Sequence, residues 1–118
     1  MKISQVLIDS QQTRKQIRGC LIHIDTDYNI YGYCALGALA CAKGKEAELK
    51  RDTITFSHII KLYGVDPTTN VTYPASGAGI LDFVNAIWML NDRKDEWTFE
   101  RIGNWIKDLE DEGIIKYD

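Results

Sequence analysis

The stretch Gly32-Tyr-Cys-Ala-Leu-Gly-Ala-Leu-Ala-Cys-Ala42 decides the fold. From Cys34 onward it holds only alanine, leucine, glycine and cysteine. Ala35, Gly37, Ala38 and Ala42 let another backbone approach closely, while Leu36 and Leu39 fill space between elements. A helix with no polar face belongs in the interior, so residues 34–42 are predicted to form the buried centre of the domain. Lys43-Gly44 closes it.

Upstream, Cys20-Leu-Ile-His-Ile24 and Tyr28-Asn-Ile-Tyr-Gly-Tyr33 flank Asp25-Thr-Asp27. β-branched and aromatic residues on either side of an Asp/Thr/Asn cluster predict a β-hairpin. A lone two-stranded hairpin is marginal in water and must pack on helices. Residues 3–17 read as a helix with Ile3, Val6, Leu7 and Ser10 on one face, stopped by Gly19. Downstream, residues 46–51 are charged and carry no clear shape. Ser57 is expected to cap a helix to Tyr63, with Gly64 as its stop. Residues 65–79 are rich in Pro, Thr, Asn and Gly and read as a long loop. An apolar helix is expected over 80–90. Thr98 caps a last helix to about Asp111, with Phe99, Ile102, Trp105, Ile106 and Leu109 on its inner face and Gly113 as its stop. The expected fold class is helix-dominated α+β: four or five helices around the central small-residue helix, with one β-hairpin, residues 1–118 forming a single globular domain.

Composition bounds the function. The chain has 118 residues, 45% hydrophobic and 26% charged, with 2 prolines. That is ordinary globular usage and excludes disordered and fibrous classes. No apolar run approaches the roughly 18–20 residues that span a bilayer, and Met1-Lys-Ile-Ser-Gln5 turns polar too soon for a signal peptide. The formal net charge is −3, against a nucleic-acid footprint. Residues 1–60 hold 8 basic and 6 acidic side chains, and residues 61–118 hold 6 basic and 11 acidic. The acidic second half suits solvation, or a partner with a basic face. Three cysteines, Cys20, Cys34 and Cys41, make no disulfide framework and fit a reducing, cytoplasmic setting.

Three runs carry a resemblance: Arg14-Lys-Gln-Ile-Arg-Gly-Cys-Leu21, Gly32-Tyr-Cys-Ala-Leu-Gly-Ala-Leu39, and Leu90-Asn-Asp92 followed by Trp97-Thr-Phe-Glu-Arg-Ile102. They resemble a set of small phage and prophage proteins with a Cys-[Cys/Ala]-Leu-Gly-[Val/Ala]-Leu motif after a Gly-rich hairpin. In that set a Leu-Asn-Asp motif follows, then [Ser/Thr]-Phe-x-x-Ile opening a last helix. The resemblance covers roughly residues 14–40 and 85–106. Ala35 stands where many of those proteins have a second Cys, and Gly103 where Ala is usual. The resemblance implies a shared fold and a mobile-element origin, and no activity.

Cys34 is the strongest chemical candidate. At a helix N-terminus, free N–H groups and the helix dipole lower a thiol pKa. A thiol hydrolase adds a His base and an orienting Asn or Asp. The chain supplies His58 and then Asn91 or Asp92 in that order. The plainer reading is that Cys34 is a small buried residue, and that Asn91 and Asp92 end a helix and accept backbone N–H bonds. Gly77-Ala-Gly79, placed before the expected helix at Ile80, offers N–H groups to a phosphate but lacks the Lys of a P-loop, and its plainer reading is a loop-to-helix hinge. Trp97, in a charged stretch, is an expected exposed anchor for a partner.

Metals are not expected. Cys20 and His23 fall on opposite faces of a strand, and Cys34 and Cys41 lie two helical turns apart. The Asp25-Thr-Asp27 cluster imitates a calcium loop, but Ile30 and Leu36 stand where that loop needs Gly and an acid, so it reads as turn chemistry. No cofactor is expected. The first expectation is a virus- or prophage-type accessory protein of the host-cell interior that binds a host protein or small ligand, without membrane or nucleic acid. The alternative is a Cys34-dependent hydrolase or transferase served by His58 and Asn91 or Asp92.

Overall fold

The small-residue helix forms where its composition places it, and the chain wraps around it. The computed structural model describes residues 1–118. In order they form α1 (Ile3–Thr13), β1 (Ile22–Ile24), β2 (Ile30–Tyr33), α2 (Ala35–Ala42), α3 (Glu46–Arg51) and α4 (Phe56–Lys61). Then come β3 (Asn70–Thr72), β4 (Ile80–Asp82), α5 (Phe83–Asp92) and α6 (Phe99–Asp111). The fold is helix-dominated α+β, with six helices and two separate two-stranded antiparallel sheets. The expected count of four or five helices and one hairpin is corrected on both terms.

α2 contributes Ala35, Leu36, Ala38, Leu39 and Ala40 to a core of 28 buried residues. Its small side chains serve close approach: a Cβ on Gly37 would strike the Leu21 carbonyl oxygen, so only glycine lets the hairpin lie this near. α1 packs along α6 by the same device. A Cβ on Gly103 would stand 2.8 Å from Ile8 Cγ1 and 2.9 Å from the Ser4 carbonyl oxygen. No helix is long and apolar enough to cross a membrane.

Four local expectations change. The run 65–79 is not one loop: β3 lies inside it and pairs with β4 in the register Asn70↔Asp82, Val71↔Leu81 and Thr72↔Ile80. Three residues are too few for alternation to show, yet Val71 and Tyr73 are buried and anchor the hairpin to the core. Ile80 therefore belongs to a strand, and α5 starts at Phe83. α1 stops at Thr13, because Arg14 turns extended at φ −133°, ψ 137°. The next residues pair with β2: Tyr33 N–H donates to the Lys15 carbonyl at 2.8 Å, and Ile17 N–H to the Tyr33 carbonyl at 2.9 Å. Burial of Ile17 against the hairpin overrides helix propensity here. Thr55, not Ser57, caps α4, its Oγ1 accepting from His58 N–H at 3.2 Å. The charged run 46–51 is helical, with Glu46 and Glu48 in its first turn and Lys50 and Arg51 in its last, matching the helix dipole.

α6 follows its sequence signals. Thr98 Oγ1 accepts from Arg101 N–H at 3.1 Å, and Gly113 leaves the helix at φ +75°. The tail then closes back on α1. Tyr117 Oη accepts from Ile3 N–H at 2.9 Å and donates to the Glu110 carboxylate, which also accepts from Ser4 Oγ. Asp118 N–H donates to the Gly64 carbonyl at 3.0 Å.

Candidate functional site

The segments that carry the three sequence motifs meet in one buried polar junction. Asn91, 1% exposed near the end of α5, is its hub. Its Oδ1 accepts from Ala35 N–H at 2.9 Å, satisfying one of the orphan donors at the start of α2. The same oxygen accepts from Gln16 Nε2 at 2.9 Å. Asn91 Nδ2 donates to the Ile17 carbonyl at 2.7 Å. Gln16 then reaches α6: its Nε2 donates to the Trp97 carbonyl at 2.9 Å, and its Oε1 accepts from Phe99 N–H at 2.8 Å. Asp92 Oδ1 accepts from Gly19 N–H at 3.0 Å. Sequence reasoning missed Gln16. Its only trace there is its place in the run Arg14–Leu21, since a helix over 3–17 would make it an ordinary surface amide.

One cavity beside the junction contains Cys34. It holds about 170 Å³ and is lined by Gly19, Cys20, Cys34, Phe56, Trp88 and Asp92. Cys34 caps α2, its Sγ accepting from Gly37 N–H at 3.4 Å. It is only 5% exposed. Burial pushes its thiol up to about 11, and N–H groups of Gly37 and Leu36 offset only part of that. The expected lowered pKa is thus reversed: loss of solvent around the thiolate outweighs the helix terminus.

The structure brings Asp92 to this cavity but not His58. His58 is exposed on α4, and Phe56 of that helix lines the wall instead. Asn91 and Asp92 are held by backbone partners, as their plainer reading has it. No group of three or more His, Cys, Asp or Glu side chains is placed to hold a metal ion. Asp25 Oδ1 accepts from Asp27 N–H and Asn29 N–H at 2.9 Å each, which is turn chemistry.

The expected ligand contacts also move. Trp97 is 7% exposed and is no surface anchor: it belongs to the core, and the Arg101 guanidinium carbon lies 3.9 Å from its ring centre. Gly77 and Gly79 sit at the exposed tip of the second hairpin with φ +113° and +72°. A strand, not a helix N-terminus, follows them, so no helix dipole backs their N–H groups.

A second, larger cavity is lined by residues 15–18 of the same segment. This groove holds about 780 Å³ over Gln16, between Lys15, Arg18, His23, Tyr31, Glu96 and Trp97. Lys15 and Arg18 are exposed and outside every ion pair of the molecule. Tyr31 owes its position to a β-bulge. β1 and β2 pair His23↔Gly32 and then Ile24↔Ile30, so Tyr31 is the extra residue. A bulge re-aims its side chain. The Tyr31 ring, 49% exposed, stands 5.6 Å from the His23 ring, on the face it would leave in a regular ladder. The buried Trp97 Nε1 has no hydrogen-bond partner. No family model matches this chain, and no curated protein or solved structure matches it either.

Proposed function

We propose that this chain is a small virus- or prophage-type accessory protein of the host-cell interior that acts by binding an anionic ligand in the Lys15–Arg18 groove. The observation that carries this reading is the pair of unpaired cations at the mouth of the molecule's largest cavity. The groove opposes Lys15 and Arg18 with a single carboxylate, Glu96. It is therefore locally positive on a chain of net charge −3, and it attracts anions. The rigid junction beneath it holds both walls, as binding without reorganisation requires.

The thiol-enzyme alternative has less support. The Cys34 cavity holds no histidine, its one carboxylate, Asp92, already accepts from Gly19 N–H, and burial raises the thiol to about 11, which keeps it protonated at neutral pH.

Amide NMR during titration with inorganic pyrophosphate at low ionic strength tests the groove. Shifts are expected to cluster at Lys15, Arg18 and Thr98, to weaken with added salt, and to disappear in Lys15→Glu/Arg18→Glu. Absence of any localised shift would overturn the proposal.

A further inference from the structure

We infer that the ligand of this groove is a nucleotide, its base stacked on Tyr31 and its phosphate held by Lys15 and Arg18. This rests on the groove reading above and adds the ligand class.

Charge alone would suit any anion, including an acidic peptide. The aromatic side of the groove decides between them. Tyr31 presents a half-exposed ring to this groove, an apolar face with a polar tip. The bulge at Tyr31 turns that ring onto the His23 side, where the imidazole braces it at 5.6 Å with the two planes tilted by 48°. A braced, outward-facing aromatic is a stacking platform, and every nucleobase has a flat π face to lay on it. A peptide carboxylate has none.

The cations line the same cavity, on the extended segment that pairs with Tyr33 through Lys15 and Ile17. Lys15 and Arg18 provide ammonium and guanidinium donors of the kind that hold phosphate oxygens. Neighbouring cations are committed elsewhere: Arg14 donates to Ser10 Oγ at 3.0 Å, and Arg101 lies over the Trp97 ring. A cavity of about 780 Å³ accommodates a nucleotide with room for solvent. A free nucleotide and one unit of a single strand present the same base and phosphate.

Titration calorimetry on the full chain separates the possibilities, using the four nucleoside 5′-monophosphates, their nucleosides, pyrophosphate, and a decathymidylate strand. At least one monophosphate is expected to bind about tenfold more tightly than its nucleoside or pyrophosphate. Tyr31→Ala is expected to cost about tenfold in monophosphate affinity and nothing in pyrophosphate affinity. Tyr31→Phe should restore the parent value, and Lys15→Gln/Arg18→Gln should weaken both ligands. Decathymidylate binding that is tighter than thymidine monophosphate and sensitive to Tyr31→Ala identifies the source as a single strand. A weaker strand identifies the free nucleotide. If pyrophosphate binds as tightly as every monophosphate, or Tyr31→Ala changes nothing, the nucleotide inference fails while the anion groove stands. If pyrophosphate does not bind either, both fail.

Discussion

Two cavities share the 15–20 segment, one lined by residues 15–18 and the other by Gly19 and Cys20, and they differ in what their polar groups have left to do. Around Cys34 the groups are already engaged: Asp92 holds Gly19, Asn91 holds Ala35 and Ile17, and the thiol accepts from Gly37. Around Lys15 and Arg18 the charges are unpaired and the aromatic ring faces out. The first cavity has the residue types of an active site and spends them on holding the fold. The second also holds acid–base residue types, His23 and Glu96, and keeps its charged groups available. Residue type is therefore a poorer guide to function than the partners a side chain has already taken.

The largest effect should come from the junction that separates the two. Asn91→Ala leaves Ala35 N–H, the Ile17 carbonyl and part of the Gln16 amide buried without partners. At about 1–3 kcal/mol for each orphan, a loss of about 4 kcal/mol is expected in urea unfolding, enough to leave such a domain marginal or unfolded. Asn91→Asp keeps one acceptor but turns a buried carboxylate oxygen onto the Ile17 carbonyl and Asp92, and should cost at least as much at neutral pH. A stable Asn91→Ala protein would mean that the junction is not what holds these elements.

Next comes alkaline pH. The native thiol of Cys34 is raised to about 11 from an ordinary 9.0. The native state therefore holds this proton more tightly than the unfolded chain, and the stability it contributes is complete below pH 9. As pH rises from 9 to 11 about 2 kcal/mol should be lost. Burial raises Tyr33, Tyr63 and Tyr117 as well, so the readout is the difference between the parent and Cys34→Ala across that range. An identical pH dependence in both would mean that solvent reaches Cys34.

Gln16→Ala tests the smaller half of the junction. It removes the acceptor of Phe99 N–H and the donor to the Trp97 carbonyl, two part-buried bonds. About 1–2 kcal/mol is expected by the same unfolding assay, with loss of pyrophosphate shifts if the groove loosens.

The smallest effect is the sharpest discriminator. In native protein at pH 7.5 iodoacetamide should label exposed Cys20 and leave Cys34 untouched, as read by peptide mass spectrometry. His58→Ala should change neither that pattern nor stability by more than about 0.5 kcal/mol, because the side chain is exposed. Rapid labelling of Cys34 that slows in His58→Ala would restore the thiol-enzyme reading.

What was legible in the sequence follows the same division. The Cys34 helix announced itself by having no polar residue, and α6 by its Thr98 cap, its apolar spacing and Gly113. The first hairpin was marked by β-branched residues around an Asp cluster. The second hairpin was hidden, because β3 is three residues long and lies among Pro, Thr and Gly. Gln16 was hidden because its partners lie 75 to 83 positions away. Tyr31 was visible as a strand residue, but the bulge that re-aims it is a property of pairing, which local pattern does not encode.

The clasp between Tyr117 and Ile3 has a topological consequence. It brings the first helix and the last residues into direct hydrogen-bond contact, so the path of the backbone is nearly a closed ring. A short flexible linker from residue 118 to residue 1 would complete that ring. The chain could then be opened at the exposed 25–29 turn, whose own bonds are local. Such a permuted chain would begin with the second strand of the bulged hairpin and then the small-residue helix. The order in which the elements leave a ribosome would change while the packing they reach did not.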